Sequence, residues 1–344
     1  MKRKLLSIAV LVVCGLSKLQ AQDHVYSQFY NAPNYLNPAL NGQFEGDLRM
    51  NLIYRNQWSS LPGNQTYLTF SADYKMPSLG GGLGLLVTSS NEGSAYLRKL
   101  NISGIYSYSV DFDNAVLSFG LQAGFTQREI DYSKIVFGDQ IDPIDGIIPG
   151  AVSGVTLPEY NNKYFFDAGA GANLVVGSFM AGIASQHINR PNESFTGSKA
   201  TLPVRISAHA SYRLSLDPYN MDDNAAAVIP SVVMYTQAKS SSVSAGCQYK
   251  YKGANVGLWY RSGTKGASDA MVVSLIFDLF VRRDSYDKVR LGISHDATLS
   301  KMQYGNTSGT SEAALSYETT LPSRANTFPG RSRRRNSRRC HEFY

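Results

Sequence analysis

Apolar and polar residues alternate with a period of two along most of this chain. Between Met50 and Tyr54 the even-numbered positions are apolar, and the same pattern repeats between Leu68 and Tyr74. A period of two is typical of a β-strand whose two faces meet different surroundings. About fourteen segments follow this pattern, so the sequence predicts an all-β protein.

The predicted strands are separated by links that contain glycine, proline, asparagine or aspartate, which favour turns. They lie at 46–57, 65–75, 82–90, 98–111, 114–128, 163–176, 178–187, 202–213, 227–238, 242–252, 254–261, 269–280, 287–297 and 311–319. Some of the links are short, whereas others are long, above all 129–162. Short turns alternating with long loops are typical of outer-membrane barrels.

A soluble β-sandwich also has one apolar and one polar strand face, so the period alone does not decide the fold class. The polar faces here are rich in Ser, Asn, Gln, Arg and Gly, as in a wet lumen, and Tyr54, Tyr74 and Tyr212 lie near strand ends, as in aromatic girdles. Many segments run to 10–14 residues, which suffices to cross hydrocarbon when the strand is tilted. We therefore predict an antiparallel transmembrane β-barrel of about 14 strands, of the outer-membrane type.

The two ends of the chain differ from this body. Residues 1–21 read as a signal peptide, with three basic residues, a short apolar run and cleavage after Ala21. We expect 22–45 to form an irregular lead-in packed on the barrel, 46–320 to form the barrel, and 321–344 to form a mobile basic tail. No later segment approaches the roughly 20 apolar residues of a transmembrane helix.

The formal net charge of +7 is concentrated at the ends of the chain. Of the 33 basic residues, four lie in the predicted signal peptide and seven lie from Arg324 onward, whereas that tail holds one of the 26 acidic residues. The body is therefore slightly acidic and carries no basic patch of the kind that binds nucleic acid. We predict no nucleic-acid partner.

Several segments together resemble one known family. They are Tyr26–Tyr30, Tyr35–Ala39, Tyr54–Trp58, Gly80–Leu85, Phe137–Pro143 and Gly257–Arg261. In order and spacing the chain resembles the PorP/SprF family of type IX secretion and gliding-motility membrane proteins over about 30–320. This resemblance implies an outer-membrane location in a Bacteroidota-type bacterium.

The resemblance also implies a function. It indicates a non-enzymatic protein without a cofactor that works with the type IX translocon and motor-associated components. Its implied role is to bind secreted cargo through a C-terminal sorting domain and to keep that cargo at the cell surface. Because such a mechanism is binding and not bond-making, we expect the important residues on loops such as 129–162 and 188–200. The alternative is a passive porin or small-ligand transporter. The two hypotheses predict different lumens, since inward Arg49, Arg55 and Trp259 would help to plug a barrel of this size.

Five residues in the resembling segments are candidates for partner contact or for a plug: Asn37, Pro38, Arg55, Asn56 and Trp58. As a functional surface these residues would contact cargo or translocon. We also expect the protein as a whole to contact outer-membrane lipid. The structural interpretation has Arg55 and Asn56 bonding the backbone of the lead-in, with Trp58 anchored at the lipid interface. We favour the structural interpretation, because proline and asparagine serve turns in any protein.

The long loop carries Asp139, Asp142 and Asp145, whose spacing by three suggests oxygen ligands for calcium. The loop lacks the EF-hand spacing, and Pro143 interrupts it, so we predict solvated surface acids and no metal site. Long loops in compact folds are usually functional, which makes Asp139 and Asp142 candidates for partner contact. The sequence predicts no catalytic cluster.

Overall fold

The computed structural model describes residues 23–93, 96–158, 160–196, 198–216, 225–280 and 287–321. The predicted signal peptide and the tail beyond residue 321 lie outside these ranges. Over the described residues, fourteen long strands form one antiparallel sheet. They are β1 Leu48–Gln57, β2 Gln65–Met76, β3 Gly81–Glu92, β4 Leu97–Asp111, β5 Ala115–Ile130, β6 Asn162–Val176, β7 Phe179–Gln186, β8 Arg205–Tyr212, β9 Ala227–Gln237, β10 Ser240–Tyr251, β11 Ala254–Ser262, β12 Ser268–Phe280, β13 Lys288–Thr298 and β14 Thr310–Thr319.

The sheet closes on itself. Strand β1 pairs with β14 along its whole length, from Leu48 opposite Thr319 to Gln57 opposite Thr310. Each of the other described strands pairs with its neighbours in sequence, and the short Leu214–Ser215 extends the pairing on β9. A closed barrel satisfies its backbone hydrogen bonds without water, as a structure in hydrocarbon must. The predicted fourteen-stranded antiparallel barrel is confirmed.

The alternation in sequence sorts side chains between the lumen and the lipid. In β1, Arg49, Asn51 and Arg55 are buried toward the lumen, whereas Leu52 and Tyr54 are 40% and 44% exposed on the outside. This arrangement is the inverse of a soluble protein, because the outer face meets hydrocarbon and the inner face meets polar groups. The strand pattern therefore encodes which face is in contact with lipid.

The two ends of the barrel are unlike. Strands β2 and β3, β4 and β5, β6 and β7, and β10 and β11 are joined by two to four residues at one end. The opposite end carries the long connections 131–161, 187–204 and 299–309. Outer-membrane barrels have short periplasmic turns and longer outer loops. We therefore assign the short-turn end, where β1 begins and β14 ends, as the periplasmic end, and the other as the outer end.

In the part of the chain that the structure describes, helical structure consists of short turns. They are Phe29–Asn31, Pro33–Leu36, Pro38–Leu40, Pro77–Leu79, Tyr132–Lys134, Gly138–Gln140, Thr264–Gly266 and Tyr304–Thr307. Among the described residues, no helix has the length and apolar character needed to cross a membrane. The outer loop between β5 and β6 also contains a small hairpin, in which Ile141–Asp142 pairs with Gly146–Ile147.

Candidate functional site

The lead-in, residues 23–47, passes through the lumen of the barrel. At the outer end, the Asp23 amide nitrogen donates a 2.7 Å hydrogen bond to the last residue of β9. At the periplasmic end, the Asp47 amide donates at 2.8 Å to the carbonyl of the last residue of β14. Every residue from 26 to 44 is buried. The chain therefore threads the barrel from its outer end to its periplasmic end before β1 begins.

Short helices give the lead-in its shape inside the lumen. Pro33 and Pro38 open two of them, and the fixed φ of proline is suited to a first helical position. The Asn37 side-chain oxygen accepts from the Ala39 amide at 2.9 Å and so caps the second helix. Its amide nitrogen donates at 3.0 Å to the Ala172 carbonyl of β6. Asn37 thus both shapes the lead-in and joins it to the wall.

Glycines on the inner face of the wall make room for the lead-in. A Cβ on Gly120 of β5 would lie 2.2 Å from the carbonyl carbon of Pro38, and one on Gly171 of β6 would lie 2.1 Å from the Asn37 side-chain oxygen. Four wall glycines approach the lead-in this closely: Gly84, Gly120, Gly171 and Gly292. A side chain at these positions would occupy the space that the lead-in fills.

A buried cluster of charges lies on the lumen face of four strands. Arg55 of β1 is paired with Glu312 of β14 and lies 3.4 Å from Asp296 of β13. Asp296 also forms an ion pair with Arg261 of β11 at 2.9 Å. Isolated buried charges would be costly, so the mutual pairing is what permits this cluster in the lumen.

The same cluster holds the backbone of the lead-in. The two carboxylate oxygens of Glu312 accept from the amides of Ser27 and Gln28 at 2.8 and 2.9 Å. The Ser27 hydroxyl lies between the Arg55 guanidinium, at 3.2 Å, and Asp296, at 2.7 Å. Glu312 therefore binds the lead-in and the charged wall at once.

Aromatic packing fills the lumen beside this cluster. Trp259 of β11 is buried, and the rings of Phe29 and Tyr30 lie 5.2 and 6.0 Å from its ring. Phe165 of β6 is buried as well. Arg49 of β1 pairs with Asp73 of β2 at 2.7 Å, toward the periplasmic end. These inward side chains and the lead-in together occupy the interior of the barrel.

A second polar group, here called the outer clamp, holds the outer end of the lead-in. It consists of Asp23, Lys99, Asp167, His187 and Gln237. Asp23 bonds to Lys99 of β4 at 2.8 Å and to His187 Nε2 at 2.6 Å, and it accepts from Gln237 of β9 at 3.0 Å. The other ring nitrogen of His187 lies 2.8 Å from Asp167 of β6. One lead-in residue is thus tied to three separate parts of the wall.

His187 is placed between two carboxylates. Burial on its own would lower the pKa of His187, but the Asp23 carboxylate and the hydrogen bond to Asp167 outweigh that effect. The pKa of His187 therefore lies above its ordinary value. A protonated imidazole can donate from both ring nitrogens and so bridge the two acids.

The loop 187–204 covers the outer end of the lumen. It begins after β7, and its Glu193 pairs at 3.1 Å with Arg128 of β5, whose guanidinium lies 5.5 Å from the Phe195 ring centre. The chamber left beside Asp23 and His187 has a volume of about 40 Å³. Such a chamber holds a few water molecules at most. The lead-in therefore leaves little free space in the outer part of the lumen.

The candidate residues Arg55, Asn56 and Trp58 lie in two different surroundings. Arg55 reaches the lead-in, as described above. Asn56 accepts a 2.9 Å hydrogen bond from the Asn64 side chain in the next outer loop, and the half-buried Trp58 donates its amide at 2.9 Å to the Gly309 carbonyl of another outer loop. Asn56 and Trp58 therefore belong to the outer rim of the barrel.

Asp139 and Asp142 lie in the outer loop 131–161 and hold its turns. Asp139 accepts from the Ser153 hydroxyl at 2.8 Å and from a backbone amide at 2.7 Å, while Asp142 accepts from two backbone amides at 2.7 and 3.0 Å. The hydrogen bond from Ser153 holds the pKa of Asp139 below its ordinary value. Within the described ranges, no group of three His, Cys, Asp or Glu side chains is placed to hold a metal ion.

Sequence reasoning missed the outer clamp and the role of Glu312. The alternation places Glu312 and Asp296 on the polar faces of their strands, so their inward orientation could have been found. Their contacts could not, because Glu312 lies 285 residues from Ser27 in sequence.

A closed antiparallel barrel with an apolar outer belt and a polar interior defines an outer-membrane β-barrel protein. The family model described as Type IX secretion system membrane protein PorP/SprF matches residues 18–317. The chain belongs to this family, which confirms the resemblance seen in the sequence. It is an outer-membrane component of the type IX secretion system.

Several solved barrels are similar to this chain at low sequence identity. The toluene transporter TbuX of Ralstonia pickettii is 13% identical, with a TM-score of 0.49, over 85% of this chain and 94% of that chain. The toluene transporter TodX of Pseudomonas putida is 9% identical, with a TM-score of 0.46, over 88% and 96%. An outer membrane protein of Acinetobacter baumannii is 8% identical, with a TM-score of 0.40, over 80% and 100%. No curated protein matches significantly.

Proposed function

We propose that this protein is a non-enzymatic component of the type IX system that binds a secreted cargo protein through the cargo's C-terminal sorting domain. Its task is to keep that cargo at the cell surface. The observation that carries the proposal is the filled lumen: the lead-in is buried from residue 26 to residue 44 and is tied to the wall at both ends. A filled barrel leaves its outer loops as the surface on which to act, and loops held on a rigid scaffold are common binding sites.

The mechanism is binding, with the barrel as a rigid platform. Outer loops 131–161, 187–204 and 299–309 project from the same end of the barrel. Hydrogen bonds within these loops, such as those accepted by Asp139, fix their shape before a partner arrives. A preformed surface loses less conformational entropy when it binds, which favours affinity.

The filled lumen argues against the alternative of a passive porin or small-ligand transporter. A porin needs an aqueous channel through its lumen. The chamber beside the outer clamp measures about 40 Å³. The charged cluster around Arg55 and Glu312 would also have to be dismantled before the lead-in could leave.

Purification of the tagged full-length protein from outer membranes in mild detergent tests the proposal. Mass spectrometry of the co-purifying chains should identify a secreted protein with a C-terminal sorting domain, together with translocon or motor-associated components. Another outer-membrane barrel from the same cells, carrying the same tag, serves as the control and should recover neither. Recovery of the protein with no secreted chain and no translocon component would contradict the proposed function.

A further inference from the structure

The outer loop between β5 and β6 turns apolar side chains toward solvent. Ile144 and Val152 are 92% and 93% exposed, and Ile147 is 62% exposed. Ile141, which lies directly opposite Ile147 in the small hairpin, is 48% exposed. Single exposed apolar residues are normal on a protein surface, but a group of them on one ordered loop marks a contact surface. These four residues are called the loop surface below.

Polar side chains of the same loop hold it in this shape. The Gln140 side chain accepts from the Phe137 amide at 2.9 Å and donates to the Ala151 carbonyl at 2.6 Å. Asp139 bonds to the hydroxyl of Ser153, on the same returning arm of the loop. The polar groups are therefore used inside the loop, and its apolar groups point away from it. The loop surface therefore belongs to a loop whose shape is fixed by its own hydrogen bonds.

The charges around the loop surface indicate what can cover it. Asp139, Asp142 and Asp145 lie beside the apolar residues, and Lys134 is the one basic residue among the described positions of this loop. Hydrogen bonds lower the pKa of Asp139 and Asp142, so both are charged at neutral pH. An acidic border is repelled by a phosphate-bearing lipid surface and attracts a partner with basic side chains.

We infer that the loop surface is where cargo docks, and that it takes a folded domain of a secreted protein whose apolar patch is bordered by Lys or Arg. This inference rests on the proposed function and specifies where the cargo is held and by what chemistry. The apolar residues supply contact area at the centre, and the acidic border supplies orientation and selectivity.

Site-specific photo-crosslinking in intact cells tests the location. A photoreactive amino acid at position 144 or 152 should form an adduct with a secreted protein, and the linked peptide should lie in an apolar patch beside Lys or Arg. The same group at Leu79, which is 49% exposed in the periplasmic turn 77–80, serves as the matched control and should give roughly tenfold less of that adduct. Adducts with lipid, with a second copy of this chain, or in equal amount from position 79 would overturn the inference.

A pair of variants separates this inference from the proposed function. Ile144→Asn combined with Val152→Asn should lower the amount of co-purified secreted protein by roughly tenfold or more, because it removes two apolar anchors. Leu79→Asn, in the periplasmic turn 77–80, is the matched control and should leave recovery unchanged, and heat-modifiable migration in gels should show that both barrels are folded. If the unaltered protein recovers no secreted chain, the proposed function fails. If it does and the double variant recovers as much, the inference fails while the proposed function stands.

Discussion

Glu312 joins three parts of the molecule through one carboxylate. Glu312 is itself a residue of β14. It pairs with Arg55 of β1 and accepts hydrogen bonds from two lead-in amides. Each of these groups is buried, so removal of the carboxylate would deprive Arg55 of its nearest acid and two amides of their acceptor. At the residue scale, the lead-in is held by charge-assisted hydrogen bonds that the wall supplies.

Glu312→Ala should destabilise the protein, because breaking a buried ion pair typically costs about 3–5 kcal/mol. Denaturant unfolding in lipid vesicles should show a lower unfolding free energy, and limited proteolysis should cut the lead-in faster. Asp145→Ala, at an exposed loop position, is the control and should change neither. An unchanged midpoint and unchanged cleavage rate in Glu312→Ala would show that the cluster does not hold the lead-in.

The outer clamp should respond to pH through His187. Its folded pKa is raised above the ordinary value of about 6.5, so its contribution to stability is complete below that pH and is lost as the pH rises through the raised value. Five charged groups lie around it: Asp23, Glu92, Lys99, Asp167 and Arg205. The outer end of the lead-in should therefore exchange its amide hydrogens faster, relative to the intrinsic rate, at alkaline than at mildly acidic pH.

Amide hydrogen exchange of residues 23–26 between pH 6 and 9 measures this effect, after correction for the intrinsic rate. His187→Gln should remove most of the pH dependence, because glutamine does not titrate. His295→Gln, on another strand at the outer end, should retain the dependence of the unaltered protein. Equal protection at both ends of this range in the unaltered protein would contradict the role given to His187.

At the scale of elements, glycines in the barrel wall leave the space that the lead-in occupies. Gly84, Gly120 and Gly171 lie on three different strands, yet each faces the lead-in at a distance that excludes a Cβ. Small residues at these positions let the lead-in backbone approach the wall closely. The positions of these glycines on the strands therefore match the path of the lead-in through the barrel.

Gly120→Val should displace the lead-in, because the added Cβ would lie 2.2 Å from the carbonyl carbon of Pro38, which belongs to rigid backbone. The barrel itself should still form, and the lead-in should become sensitive to added protease. Gly104→Val is the matched control: it lies on the lipid face of β4, where the nearest atom is 4.0 Å from an added Cβ. A lead-in that stays equally protected in Gly120→Val would contradict the close fit.

The strands could be predicted from sequence because lipid favours apolar side chains and the lumen favours polar ones at alternate positions, as Leu52 and Arg55 show. The path of the lead-in could not, because this segment is buried on all sides and so has no period. Its partners are also remote in sequence: Asp23 bonds to Gln237 across 214 positions. In the outer loop, the exposed acids were predicted, but the hydrogen bonds that order the loop depend on turns that the sequence does not reveal.

At the scale of the whole molecule, the barrel is a closed scaffold with ordered loops at its outer end. The outer clamp and the charged cluster lie toward the outer end of the lumen, and the wall glycines lie nearer its periplasmic end. Together they make the lead-in part of the barrel interior. We expect a protein built in this way to present surface to the outside of the cell and to conduct no solutes through its centre.

Single-channel conductance in planar bilayers tests the closed lumen most directly. The full-length protein should show no stable open pore, whereas a variant lacking residues 23–45 should show frequent open events. Gly104→Val should behave like the unaltered protein. A large, stable pore in the full-length protein would contradict the closed lumen and would favour a porin over a cargo-binding component of the secretion system.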